Sequence, residues 1–81
     1  MTPLQNNSLQ RLAELNAKAA NNTATSAEKG ELMRILFDNG SITEKQYNDF
    51  LIGRNVEQLV KTALIIAGII LLGQLLQKTL K

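Results

Sequence analysis

The feature that most constrains this chain is a run of 16 residues without a charge, which lies between Lys61 and Lys78. Residues 63–73 in this run are all apolar or Gly, and two further Leu residues follow Gln74. A helix that is apolar on every side has to be surrounded by apolar material on every side. The rest of the chain must therefore enclose this segment, or a bilayer or another subunit must do so.

The other two thirds of the chain are too polar to enclose it. From Val60 to Leu76, 12 of 17 positions are hydrophobic, whereas residues 1–59 hold only 23 hydrophobic residues, six of them Ala. The average of 44% hydrophobic residues over 81 positions hides this division. The sequence therefore describes a polar N-terminal part followed by an apolar segment.

The composition excludes most catalytic and metal-binding chemistry. The chain has no Cys and no His, so disulfides, thiolate metal sites and the common nucleophile–base pairs are excluded. A calcium loop with Gly40 at its sixth position would place Ile35 and Phe37 where oxygen ligands belong. The net charge of +2 comes from basic residues dispersed among acidic ones, which is not typical of a nucleic-acid surface. We therefore expect no enzymatic activity, no cofactor, no metal and no nucleic-acid partner.

Residues 1–24 are predicted to form one helix and a linker. The helix runs from about Ser8, which can cap it, to Ala20. Its large apolar side chains, Leu9, Leu12 and Leu15, fall on one narrow face. A helix with so narrow an apolar stripe needs a partner surface to be stable, so this face is a candidate docking surface.

Residues 25–53 are predicted to form a helical hairpin. Thr25 and Glu28 have the spacing of a capping box at the start of its first helix, which runs to about Asp38. Gly40 suits a left-handed turn, and Thr43 with Gln46 repeats the capping pattern before a helix that ends near Gly53. The predicted hairpin core and turn comprise Leu32, Ile35, Leu36, Gly40, Ile42, Tyr47, Phe50 and Leu51.

Residues 55–81 are predicted to form a fourth helix, capped by Asn55, that leads into a single C-terminal transmembrane span. Sixteen helical residues cover ~24 Å, against a hydrocarbon core of roughly 30 Å. Leu59 and Val60 add apolar length, and the flanking Lys61 and Lys78 can extend toward the headgroups. The expected fold class is therefore all-α, with a short N-terminal helix, a hairpin and a transmembrane helix.

Four small residues are candidates for close helix packing inside the membrane. Ala63 and Ala67 are four positions apart, and Gly68 and Gly73 add further small positions. Small side chains let membrane helices approach one another closely. The alternative is that residues 62–77 form the shared core of a soluble helical oligomer.

Residues 31–51 carry the pattern Glu31-Leu32, Ile35-Leu36, Asp38, Gly40, Ile42-Thr43-Glu44, Tyr47 and Phe50-Leu51. This pattern resembles the SHOCT module, a short helical hairpin found near the ends of many bacterial proteins. The resemblance implies a role in oligomerisation or attachment, with no catalytic residues. Gln46 departs from the pattern, because that family commonly has an acidic residue there.

These observations favour a non-enzymatic, single-pass membrane protein that acts in assembly. It would be an accessory subunit of a membrane complex or a membrane-associated component of a phage virion. Its partners would be the lipid bilayer and other membrane or capsid proteins, or further copies of itself. The expected location is a bacterial inner membrane or a virion membrane, with the N-terminal part in the cytoplasm because residues 1–20 lack the apolar stretch of a signal peptide. The alternative function is holin-like membrane permeabilisation.

Overall fold

The computed structural model describes the backbone of residues 6–79 and the side chains of residues 8–74. The chain forms four helices over this range. They are α1 (Asn6–Ala20), α2 (Ser26–Asp38), α3 (Glu44–Leu51) and α4 (Val56–Thr79). The prediction of an all-α chain is confirmed for these residues. α4 packs against each of the other three helices, and α2 also packs against α1 and α3.

Both predicted capping boxes are present. The Glu28 backbone N–H donates to Thr25 Oγ1 at 3.1 Å, and the Thr25 N–H donates to Glu28 Oε1 at 2.9 Å. Thr43 and Gln46 repeat the arrangement at 3.0 and 2.8 Å. These reciprocal bonds satisfy backbone donors that the first turn of a helix leaves without partners, so α2 and α3 begin where local sequence predicts.

Three helix ends are closed by residues in the left-handed conformation. Gly40 has a φ of 76° and Gly53 a φ of 79°, as expected for glycine at this position. Asn22, with a φ of 59°, closes α1 in the same way, because the Thr23 N–H donates to the Lys18 carbonyl at 2.8 Å. The segment after α1, which the sequence suggested to be a linker, therefore begins with an ordered helix cap.

The starts of α1 and α4 differ in detail from the expectations, and the expected cap of α1 is wrong. α1 begins at Asn6, which places Ser8 inside the helix instead of at its cap. Three consecutive residues, Asn6, Asn7 and Ser8, all have capping side chains, so local preference does not choose among them. Asn55 occupies the N-cap position of α4, because its carbonyl accepts from the Leu59 N–H at 2.9 Å, but its φ of 53° differs from the extended conformation of most N-caps.

The core lies where α1 and α2 meet α4. Its fully buried large side chains are Leu12, Leu15, Leu32, Met33 and Leu36. Ile42 and Gly40 occupy the predicted hairpin turn, and the Phe37 and Tyr47 rings stack at 4.8 Å between centroids, joining α2 to α3.

Not all of the predicted hairpin core is buried. Ile35, Tyr47 and Phe50 are half-buried against the core, but Leu51 is 59% exposed, so its assignment to the core is wrong. Leu51 is the last residue of the short helix α3. It is rotated by about 100° from Phe50, which turns it away from the face that packs.

Candidate functional site

One face of α4 packs on the rest of the chain. Val60, Ala63 and Ala67 are buried, and they belong to the same apolar cluster as Leu12, Leu15 and the α2 residues Leu32 and Leu36. We call Val60, Ala63 and Ala67 the inner face of α4. Two of its three side chains are single methyl groups, which allow the helix backbones to approach closely.

The opposite face of α4 is exposed and also carries large side chains. Ile65, Ile69 and Leu72 are 66%, 65% and 55% exposed. Their spacing of four and three residues places them on one side of the helix. We call these three residues the outer face of α4.

Five other large residues of α4 are half-buried against the core, namely Leu59, Leu64, Ile66, Ile70 and Leu71. The exposed apolar face is what distinguishes α4 from a helix of a water-soluble domain. Such a helix directs its large aliphatic side chains into the core and its small or polar ones outward. In the described part of the chain, Val56–Gln74 is long and apolar enough to cross a membrane, and only 17% of this stretch is buried. Length and composition alone are weak evidence of a span, but the low burial argues against a helix enclosed by its own domain.

The four small residues predicted to pack in a membrane lie on different sides of α4. Ala63 and Ala67 are buried in the chain's own core. Gly68 and Gly73 border open space. A Cβ atom added at either position would have no atom of another helix within 4 Å. The structure therefore does not gather the four residues into one surface, and their packing in a bilayer stays a prediction.

The predicted docking surface of α1 is used within the chain. Leu12 and Leu15 are 0% and 1% exposed in the core, and Leu9 is half-buried. The requirement that α1 dock on a partner surface is met by α2 and α4. A separate protein would reach Leu12 and Leu15 only after α1 had moved away from these helices.

Ion pairs between α1 and α2 were not predicted. Arg11 donates two hydrogen bonds to the Glu31 carboxylate, at 2.6 and 2.7 Å, and Lys18 Nζ donates to Glu28 Oε2. The bond from Lys18, together with that from the Thr25 N–H, lowers the pKa of Glu28 to about 2. Arg11 and Lys18 are seven residues apart and therefore lie on one side of α1, which faces α2.

α1 also holds a buried polar atom that has no partner among the described side chains. Asn16 Oδ1 is shielded from solvent and accepts no hydrogen bond from them. At about 100° per residue, Arg11 and Lys18 lie on one flank of the stripe formed by Leu12 and Leu15, and Asn16 lies on the other flank. Because α1 packs on both α2 and α4, helical geometry points Asn16 away from α2 and toward α4.

Comparisons with family models, with curated proteins and with solved structures found no match to this chain. The resemblance of residues 31–51 to the SHOCT module therefore stays a prediction. Within the part of the chain that the structure describes, no group of three or more acidic side chains is placed to hold a metal ion. The surface with the most distinctive chemistry is α4, with its buried small residues and exposed large aliphatic ones.

Proposed function

We propose that this chain is a non-enzymatic, single-pass membrane protein whose span is α4 and whose role is assembly. The observation that carries the proposal is the outer face of α4, where Ile65, Ile69 and Leu72 lie exposed in an uncharged stretch of helix. Lipid tails would cover these side chains, which water solvates poorly.

The length and end groups of α4 suit this role. Its uncharged run of 16 residues covers ~24 Å, at about 1.5 Å per residue, and the rest of the 24-residue helix continues beyond both ends of this run, so that the helix as a whole is longer than a hydrocarbon core of roughly 30 Å. Lys61 lies at the start of the uncharged stretch with a side chain 73% exposed, so its ammonium group can extend to the headgroups. The nine Leu and Ile residues of positions 64–76 favour insertion by roughly 3–5 kcal/mol.

Assembly is the proposed role because the N-terminal helices would carry a contact surface on the cytoplasmic side. Leu51 and Ile52, at the end of α3, are 59% and 69% exposed and lie next to the exposed Arg54. This surface would bind another subunit of a membrane complex or a virion protein, and the SHOCT-like pattern of residues 31–51 supports an attachment role. The bilayer would raise the local concentration of the attached protein.

The test is extraction of the full chain from membranes of expressing cells with alkaline carbonate. We expect the wild-type protein to stay in the membrane pellet. Ile69→Lys places a charge near the middle of α4 at a cost of about 3 kcal/mol, so it should shift the protein to the wash. Ile52→Lys is the matched control, because it makes the same change at an equally exposed position outside α4.

Three outcomes would contradict the proposal. If the wild-type protein leaves with the wash and forms stable multimers without detergent, residues 62–77 are instead the shared core of a soluble oligomer. If expression rapidly abolishes the membrane potential of the cell, the holin alternative replaces the assembly role. Retention of Ile69→Lys to the same extent as Ile52→Lys would show that α4 is not the span.

A further inference from the structure

The helices that pack on α4 lie beside the segment that would cross the bilayer. Ala19 of α1 lines one groove with Val56 and Val60, so the C-terminal end of α1 lies at the N-terminal end of α4. From there α1 extends along α4, since Leu12 and Leu15 share a buried cluster with Ala63 and Ala67. Both Ala residues fall inside the uncharged run of residues 62–77. The same inner face therefore cannot contact lipid while α1 and α2 are packed on it.

The charges of α1 and α2 prevent these helices from entering the bilayer with α4. Arg11 and Glu31 are next to the buried Leu12 and Leu32, and they form a double hydrogen bond between the two helices. Moving such a pair into hydrocarbon is strongly unfavourable, even when the two charges stay together. Insertion of α4 therefore requires its inner face to separate from α1 and α2.

Helical geometry places Asn16 on the side of α1 that is turned away from α2 and toward α4. Its Oδ1 atom is buried and has no hydrogen-bond donor among the described side chains. A buried acceptor without a partner is unfavourable relative to the same group in water. Release of α1 restores the hydrogen bonds of this amide, so Asn16 favours separation.

We propose that α1 and α2 are a displaceable cover for the inner face of α4, and that lipid replaces them on Val60, Ala63 and Ala67 when α4 inserts. This inference rests on the proposed membrane function. The packed form and the inserted form compete for one surface of α4. The fraction inserted therefore depends on how strongly α1 holds to α4, since a bilayer shifts the equilibrium toward the form that it binds.

The first test changes how stably α1 packs on α4 without changing the sequence of α4. The full chain is mixed with vesicles of phosphatidylcholine and phosphatidylglycerol, and the carbonate-resistant fraction is followed over time. Asn16→Leu replaces the unpaired amide with a side chain of similar size, and it should slow insertion about tenfold. Leu15→Ala removes buried contacts of α1 and should accelerate insertion by at least as much.

The control separates the strength of the cover from general hydrophobicity. Ala13→Leu adds an aliphatic side chain to α1 at an exposed position, so it should not slow insertion. If Asn16→Leu inserts as fast as the wild type or faster, the cover hypothesis is wrong. This result is informative even if Leu15→Ala fails to fold.

The second test measures whether α1 leaves α4. The chain has no Cys, so a single introduced thiol reports on one position. Ala19→Cys lies in the core and should react slowly with a water-soluble maleimide, then at least tenfold faster once vesicles are added. Ala13→Cys, which is exposed, should react quickly in both conditions.

The outcomes distinguish the two proposals. If the wild-type chain never becomes carbonate-resistant, the membrane function itself fails, and the cover fails with it. If the wild-type chain inserts while Ala19→Cys stays protected, the membrane function stands. In that case the cover hypothesis alone is overturned, because α4 would have inserted without releasing α1.

Discussion

At the residue scale, Gly40 determines how closely α2 and α3 can follow one another. Its φ of 76° lies in the left-handed region, and it allows the Ser41 N–H to donate to the Leu36 carbonyl at 2.8 Å. Buried Asn39 precedes it, with Nδ2 donating to Ser41 Oγ at 2.9 Å. The turn therefore depends on one backbone conformation that most side chains disfavour.

We expect Gly40→Val to destabilise the full chain by more than about 1 kcal/mol, because a β-branched residue resists positive φ. Thermal unfolding followed by circular dichroism in mild detergent measures the loss. Gly40→Asn is the matched control and should lose much less, since Asn adopts the left-handed conformation more readily than other side chains. Equal melting temperatures for the Val and wild-type proteins would show that the turn does not require this conformation.

At the scale of the elements, the contact between α1 and α2 combines buried Leu side chains with two ion pairs. Arg11 pairs with Glu31, and Lys18 pairs with Glu28, which also belongs to the capping box of α2. Each of these bonds lowers the pKa of the carboxylate that accepts it. The contact between the two helices is therefore sensitive to acid.

We expect the stability of the chain to fall as the pH is lowered from about 4.5 toward about 2. The pKa of Glu28 is about 2 in the fold, against 4.5 for the free side chain. Because the folded pKa is the lower one, the stabilisation is complete above pH 4.5 and is lost as the carboxylate is protonated. Urea unfolding across this pH range measures the effect.

Glu28→Gln is the control for this pH dependence. It should lower stability at neutral pH and show a smaller decline between pH 4.5 and 2, because one of the two shifted carboxylates is gone. The other shifted carboxylate, Glu31, still faces Arg11 and retains its own part of the decline. An unchanged pH profile in Glu28→Gln would contradict the ion pair with Lys18.

At the scale of the whole molecule, one small core holds four helices together. Leu36 is completely buried where α2 meets the rest of the core, and Leu51 at the end of α3 is 59% exposed. α4 buries only Val60, Ala63 and Ala67 in this core, whereas its larger residues are half-buried at the edge of the core or exposed. Each large core residue therefore carries a sizeable share of the stability.

We expect Leu36→Ala to destabilise the chain by about 2–5 kcal/mol, because it removes buried apolar surface and leaves a cavity. Leu51→Ala makes the same substitution at an exposed position and should change stability by less than about 0.5 kcal/mol. Chemical unfolding in mild detergent compares the two variants with the wild type. Similar losses in both would contradict the placement of the core.

The sequence by itself determined the features that depend on neighbouring residues. The caps at Thr25 and Thr43 and the turn at Gly40 each involve groups a few positions apart, so their spacing is visible in the order of residues. The ion pair of Arg11 with Glu31 joins residues 20 positions apart. No local pattern selects that partner among the other carboxylates.

Only the tertiary structure decided which face of α4 packs on the other helices. A helix that is apolar all round has no polar face to direct its rotation, so hydrophobic periodicity does not predict which face is buried. The fold buries Ala63 and Ala67, because short side chains let the helices approach closely, and it leaves Ile65 and Ile69 exposed. Sequence order establishes that α4 is apolar, whereas the shapes of the packed side chains establish which of its faces remains open to other apolar partners.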